Sequence, residues 1–409
     1  MGSLSHFLFV TFILFIWKSN NKNKIHLANL LVYLACIFGL YWIFISLNYY
    51  GNLSPSLSII STLVLALYVS TYYLVAGYLI RRFKLRPIEV ASLICFFEWL
   101  RSQLFSGFPW LDIGIIQIDS PISGFAPIIG VYGITFLTIL VSELLLKFKW
   151  ISTVKAFSII FIGFFLQSLN FVVPKGEKLN VALLQGSIPQ QLKFDPVYEK
   201  KYQKKYLDMI EKILEKNKNI DLIVLPETAL AKPWNNLNSD FRSTLLKKLR
   251  KFDVILITGI PIKSFSGWKN SVIAINASNS SEKNIIYDQY DKHHLVPFGE
   301  FIPHGFKWFV NLINIPFGEF KKGQLPQNPI SVNDQFIGVN ICFEDLFADE
   351  IIKSFSFSRA LDQVPSILLN VSNLGWFGKT NALNYQLKAS RMRSIETGRP
   401  MIRSTNTGF

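Results

Sequence analysis

A multi-span α-helical membrane bundle followed by a layered α/β domain is the fold the sequence predicts. Three observations predict it. Half of the 409 residues are apolar, with 36 Phe among them. Long hydrophobic runs fill the chain up to Pro174, and beyond it short β-branched runs alternate with Lys- and Glu-rich helical stretches. The two regimes divide the chain into a bundle over residues 1–174 and a polar domain over 175–409.

Within the bundle, runs on the order of the 20 residues needed to cross a bilayer core cover 27–47, 57–80, 88–105, 122–146 and 151–173. A shorter run from Leu4 to Trp17 has neither the basic leader nor the small-residue cleavage site of a signal peptide, so it is predicted as a shortened span, making about six. Loop charge orients them. KSNNKNK, RRFKLR and KFK are basic and expected in the cytoplasm, whereas NYYGNLSPS and SGFPWLDIGIIQIDSP carry no Lys or Arg and face outward. Counting on, everything after Pro174 is expected on the outer face. Glu98 and Arg101 stand three residues apart, so one helix face presents both and each can neutralise the other, either holding the bundle or seating a phospholipid headgroup. The GFPWL segment suggests a loop dipping back toward the membrane.

The net charge of +15 is spread through helix and strand patterns rather than gathered into a basic run interleaved with aromatics, which argues against a nucleic-acid partner. Three cysteines, Cys36, Cys95 and Cys342, show no CxxC and no spacing suited to a metal site or a disulfide framework, so no metal and no cofactor is expected. Cys36 and Cys95 lie in apolar runs, where cysteine behaves as a small hydrophobe.

In the polar half, LNVALLQG, a helix near 197–216 and DLIVLPE read as strand, helix, strand. A helix near 239–251 follows, then DVILITGI, a hairpin of SVIAINA and NIIYDQYDK, then QFIGVNICFED, SILLNVSN and a helix near 382–397. This is a layered α/β domain of about 230 residues, enough to bury its own core. Three strand ends carry chemistry. Glu227 ends DLIVLPE at the carboxyl edge of a sheet, where open α/β folds place their sites, although a lone Glu there could equally cap the next helix. Lys292 ends the hairpin, with Glu300 eight residues on in a Pro- and Gly-bearing turn; alone it would read as a surface charge. Cys342 follows a strand and precedes two acids at a bend that can aim backbone N–H groups at an oxyanion; an isolated cysteine there would be buried and inert. Together they are stronger, because a thiol with a free pKa near 8.5 needs a base and a cation to act near neutrality.

The order LPE, YDKHHLVPFGE, ICFE resembles the Glu, Lys, Cys arrangement of the nitrilase (carbon–nitrogen hydrolase) superfamily. With the preceding spans it most resembles the apolipoprotein N-acyltransferase family, through FEWLRSQLFSGFPWL and APIIGVYGITFL in the bundle and QGSIPQQLKFDP, KHHLVPFGEFIP, NVSNLGWFG and SRMRSIETGRPMIRSTNTG beyond it. The resemblance implies a nitrilase-like α-β-β-α sandwich for 175–409. It implies Cys342 as nucleophile, Glu227 as general base and Lys292 as cation, with Glu300 and Glu344 as supporting acids and Phe343 and Phe194 at the oxyanion or substrate. Phe194 and Phe343 stand where the family commonly has Trp and Tyr, which keeps an aromatic surface and drops a polar handle, and Leu374 stands where an Asp is common. The implied reaction passes a fatty acyl group from a phospholipid, usually phosphatidylethanolamine, through a cysteine thioester to the α-amino group of diacylglyceryl apolipoproteins. The implied setting is the bacterial inner membrane, with a periplasmic catalytic domain. The chain is expected to act as a monomer. Trp376, Phe377 and the segment 304–320 are candidate lids or acyl-chain walls. PFGEF occurs at 297–301 and again at 316–320; only the first follows the lysine, so Glu319 is expected to be a bystander. Family members also carry a further N-terminal span and, after TNTGF, further strands and a last transmembrane helix, so a shortened chain is expected. Rival readings are a membrane-bound nitrilase-type amidase and a catalytically inactive truncated remnant.

Overall fold

The computed structural model describes residues 2–174, 176–265, 267–278, 285–306 and 319–408. They form two compact units. One contains the residues up to Val173 together with Lys379–Gly398; the other contains Pro174–Gly378 and the segment from Arg399 onward.

The first unit holds helices α1 (Ser3–Trp17), α2 (Lys22–Leu40), α3 (Pro55–Phe83), α4 (Pro87–Gln103), α5 (Ala126–Leu145) and α6 (Trp150–Leu166). Among the described residues three candidate spans are long and apolar enough to cross a membrane: Lys22–Leu40, Pro55–Phe83 and Pro121–Leu145, the last of which includes α5. α1 and α6 are shorter apolar helices; the 17 residues of α6 reach only about 25 Å at 1.5 Å per residue. Phe157, Phe161, Phe164 and Phe165 on α6 are exposed, an apolar surface that water would penalise and lipid would not. The run expected as one span over 27–47 is interrupted, because α2 stops at Leu40 and the chain continues through Trp42–Ile45 into a π turn at Ser46–Tyr50. α4 begins on Pro87, and Glu89 caps it by accepting the backbone N–H of Arg86 at 2.7 Å.

The expected mutual neutralisation of Glu98 and Arg101 gives way to separate partners. Arg101 pairs with Asp112, both fully buried. Glu98 instead accepts hydrogen bonds from Tyr73 Oη (2.7 Å), Thr135 Oγ1 (2.6 Å) and the backbone N–H of Ile113 (2.9 Å). The loop after α4 folds inward and brings Asp112 against the guanidinium, which spacing along one helix could not reveal.

A further helix of this unit, α10 (Asn381–Thr397), comes from far along the chain. Tyr385 accepts the backbone N–H of Asp112 at 2.8 Å and stacks on Trp110 at 5.2 Å. Glu396 accepts the N–H of Val131 at 2.6 Å, next to Gly130, whose φ of +65° breaks the first turn of α5.

In the second unit, β1 (Val181–Leu183), β2 (Leu222–Val224), β3 (Ile255–Ser264), β4 (Gly267–Ile275) and β5 (Ile286–Asp291) form one sheet in that order. β1, β2 and β3 are parallel; β3, β4 and β5 are antiparallel. A second sheet runs β6 (Ile330–Val332), β7 (Gln335–Ile341), β8 (Ile367–Ser372), β9 (Met401–Thr405). The period of two along each strand separates two cores. Leu222, Val224, Ile255 and Ile257 meet Ile337, Ile341, Leu369 and Val371 between the sheets. Ile223, Leu225 and Leu256 point the other way, onto Tyr206, Ile210, Leu245 and Leu249 of α7 (Pro196–Lys216) and α8 (Ser239–Phe252). On the outer face of the second sheet, α9 (Ala348–Ala360) sets Ile351 and Phe355 around the same small cavity as Gly338 and Leu368. The unit is therefore the expected α-β-β-α sandwich.

Breaking the Arg101–Asp112 pair from one side leaves a buried guanidinium without its carboxylate, at a cost of about 3 kcal/mol or more. Asp112→Asn is expected to lower the thermal unfolding midpoint in detergent micelles clearly, and the Arg101→Leu, Asp112→Leu double variant to lie nearer the parent. Equal midpoints for Asp112→Asn and the parent would refute the assignment.

Candidate active site

Each candidate side chain sits where a strand stops. After β2 the chain passes Pro226 and Glu227 and turns at Thr228, whose φ is +49°. That turn crosses β3 so closely that a Cβ on Gly259 would lie 2.4 Å from the Thr228 nitrogen and 2.6 Å from the Glu227 Cα, so glycine is required there. Lys292 follows β5 directly, its N–H donating to the Asn270 carbonyl at 2.8 Å. Cys342 follows β7 with φ +58°, a left-handed conformation that costs a side-chain-bearing residue about 1–2 kcal/mol. The chain then enters the helical turn Cys342–Leu346.

The folded chain brings Glu227, Lys292 and Glu300 together. Lys292 Nζ lies 2.9 Å from Glu300 and 3.4 Å from Glu227 Oε1, with the lysine 1% exposed. Asn270 Nδ2 donates to both carboxylates, at 2.8 Å each. The second oxygen of Glu227 accepts the backbone N–H of Asn373 at 2.7 Å, and that of Glu300 accepts the N–H of Val296 at 2.8 Å. Burial alone would raise the Glu227 pKa, but Lys292 beside it, the Asn270 hydrogen bond and Lys193 hold it below the ordinary carboxylate range. Burial likewise opposes the charge on Lys292, yet Glu300 and Glu227 outweigh it and raise its pKa. Cys342 is buried within electrostatic reach of this cluster. Its thiol is pushed well above its usual value, by burial first and by Glu227 second, with Lys292 pulling the other way. The resting site thus pairs an ionised carboxylate with a protonated thiol. The cysteine is therefore not a standing thiolate.

Glu344 does not reach Lys292 through a hydrogen bond. One oxygen accepts the N–H groups of His293 (2.7 Å) and His294 (2.9 Å), the other the N–H of Ile341 (2.6 Å) and Tyr290 Oη (3.0 Å). It ties the cysteine turn to the lysine turn. Burial pushes it up to about 7 against the pull of those donors. The Phe343 ring lies under Lys292 Nζ, 5.6 Å from ring centroid to nitrogen. Phe194 is 59% exposed and Trp376 39% exposed. Phe377 lies with Trp376 in the turn Leu374–Phe377. Most of the candidate lid 304–320 falls on 307–318, outside the described residues. Glu319 is exposed and pairs at 3.9 Å only with Lys321 among the described residues.

Four residues of the site escaped the sequence reading. Asn270 bridges the carboxylates, Lys193 donates from Nζ to the Glu227 carbonyl at 2.9 Å, and Asn373 and Asn406 hydrogen-bond to each other at 3.1 Å. Lys193, Asn373 and Asn406 sit inside the quoted motifs QGSIPQQLKFDP, NVSNLGWFG and SRMRSIETGRPMIRSTNTG, so their signal was a polar residue in a motif, the first two of which were read for their aromatics. Asn270 had no such signal.

Residues 180–409, the stretch that folds as the α-β-β-α sandwich and holds Glu227, Lys292 and Cys342, match the carbon–nitrogen hydrolase family. Residues 2–144 match the apolipoprotein N-acyltransferase N-terminal domain. Among curated proteins, an apolipoprotein N-acyltransferase of Nitrosomonas europaea is 35% identical over 389 residues, covering 90% of this chain and 74% of that protein. One of Ralstonia nicotianae is 34% identical over 389 residues, covering 90% and 71%. Among solved structures, a carbon–nitrogen hydrolase of Helicobacter pylori G27 overlaps 56% of this chain and 72% of that one, at 18% identity and a TM-score of 0.38. The fold and the matches together define a membrane protein with a carbon–nitrogen hydrolase domain. The chain belongs to the apolipoprotein N-acyltransferase family.

An amide at Glu344 would disturb the clamp. Each of its oxygens faces two donors, so an NH₂ in either place sets donor against donor. Glu344→Gln is expected to destabilise the fold by about 2 kcal/mol, read by thermal unfolding in micelles; an unchanged midpoint would show that the clamp carries no weight.

Proposed function

We propose that this protein transfers a fatty acyl group from a phospholipid, with phosphatidylethanolamine as donor, through a thioester on Cys342 to the α-amino group of the S-diacylglyceryl cysteine that begins apolipoproteins. The observation that carries this reading is the buried cluster of Glu227, Lys292, Asn270 and Glu300 beside Cys342, in a chain of this family whose bundle exposes an apolar surface to lipid.

In the first half-reaction Glu227 accepts the thiol proton as Cys342 Sγ attacks the acyl ester carbon. The oxyanion is stabilised by Lys292 and by the backbone N–H of Phe343 at the start of the helical turn, a contribution of roughly 3–4 kcal/mol per donor. The ester C–O bond breaks, and the Glu227 proton passes to the lysophospholipid oxygen. In the second, the neutral α-amine attacks the thioester and gives its proton by way of Glu227 to the departing Cys342 sulfur, regenerating the thiol. Glu300 pairs with Lys292, and Asn270 donates to the carboxylates of both Glu227 and Glu300, which fixes the base and the cation in place. Trp376, Phe377 and Phe194 offer an apolar surface for the acyl chain, which must also keep water from the thioester. The basic loops support an inner-membrane protein with residues 175–409 as a periplasmic catalytic domain.

Incubation of the purified protein with phosphatidylethanolamine is expected to add one acyl mass, lost with neutral hydroxylamine and absent from Cys342→Ala. Folded parent protein that gains no adduct sinks the proposal. Glu227→Gln is expected to slow adduct formation at least about 100-fold. Glu300→Gln is expected to impair it while Glu319→Gln does not; the reverse result would reassign the supporting acid. Because Glu227 is held below the ordinary carboxylate range, acylation is expected to stay on its plateau from neutral pH down to about 4.5 and to fall only below it. A rate already falling between pH 7 and 5 would contradict that base.

A further inference from the structure

The loop between β1 and α7 turns two adjacent side chains in opposite directions, Phe194 into solvent and Lys193 inward, where it is 4% exposed. Its Nζ donates to the main-chain carbonyl of Glu227 at 2.9 Å. The loop is held on both sides. The N–H groups of Ser187 and Ile188 donate to the main chain and side chain of Asn406, at 2.8 and 3.0 Å, and Asn373 Nδ2 donates to Gln190 Oε1 at 2.6 Å. Asn373 is also the residue whose N–H holds Glu227 Oε2, so it fixes both the loop that carries the lysine and the carboxylate.

A neutral carbonyl does not compensate a buried ammonium, which needs an opposite charge nearby. Formal charges show what it answers. Glu227 and Glu300 carry two negative charges and Lys292 one positive, which leaves the buried cluster one negative charge in excess; Lys193 brings it to neutrality. We propose that Lys193 is a positioning residue for the acyl-transfer reaction: a second cation that keeps Glu227 ionised as the base and favours negative charge on the Cys342 sulfur during attack. This rests on the proposed roles of Glu227 and Cys342. The groups that act on Lys193 are Glu227, from the end of β2, and Cys342, from the end of β7, with Lys292 and Glu300 on the other side of Glu227. Burial pulls Lys193 down to about 8 against those two, so its charge is present at neutral pH and is lost above about pH 8.

The test follows alkylation of Cys342 by iodoacetamide against pH, in the full-length protein in detergent, by peptide mass mapping. Lys193→Gln keeps a donor for the Glu227 carbonyl and removes the charge. It is expected to move the acidic limb of the profile upward by about one pH unit, and Lys193→Arg to return the limb to its parental place. A Lys193→Gln limb that superimposes on the parent overturns the proposal, because the lysine would then be a donor only. If Lys193→Gln does not fold, Lys193→Arg decides: a limb displaced upward despite the retained charge overturns it, and a parental limb supports it. Alkylation needs no phospholipid. A parent whose alkylation profile shifts with Lys193 as expected yet gains no acyl adduct would therefore refute the proposed function and leave standing only the effect of the Lys193 charge on Glu227 and Cys342.

Discussion

The ammonium of Lys292, almost wholly buried, is the constraint around which the second unit is organised. An ion of that kind is tolerated only where opposite charge and hydrogen bonds replace water. Here the replacement comes from Glu227 at the end of β2 and Glu300 on the turn beyond β5, with Asn270 of β4 bridging the two carboxylates. Three separate stretches of chain must arrive at one point for the charge to be bearable. The closeness of Gly259 to the Glu227 turn, the left-handed Thr228 and the backbone donors from Asn373 and Val296 are consequences of that convergence.

The thiol answers to the same cluster with the opposite sign. Burial and Glu227 disfavour a thiolate at Cys342, while Lys292 favours one. The balance leaves a protonated thiol near an ionised carboxylate. The left-handed backbone at Cys342 is strained, and Glu344 offsets that strain by accepting four donors, from Ile341 at the end of β7, Tyr290 of β5, and His293 and His294 of the lysine turn.

The first unit repeats the logic on a smaller scale. Arg101 and Asp112 are buried together, and Glu98 is satisfied by hydroxyl and amide donors from α3, α5 and the loop. α10 contributes Tyr385 to the same loop and Glu396 to the break in α5, so a helix encoded after β8 completes a unit encoded before β1.

Periodicity, charge and motif order in the sequence alone determined the division into an apolar helical half and a layered α/β half, and the strand ends that present Glu227, Lys292 and Cys342. Those features are local: a run of apolar residues or a period of two follows from neighbours along the chain. Glu300 was separable from Glu319 because only it follows the lysine. The tertiary structure decided what depends on distance through space. It gave Arg101 to Asp112 rather than to Glu98, made Glu344 a clamp between turns, moved α10 into the first unit, and brought Asn270 against the Glu227 carboxylate and Lys193 against the Glu227 main-chain carbonyl, each from far along the sequence. A buried charge takes its partner from whatever the fold brings within a few ångströms, and no one-dimensional pattern encodes that distance.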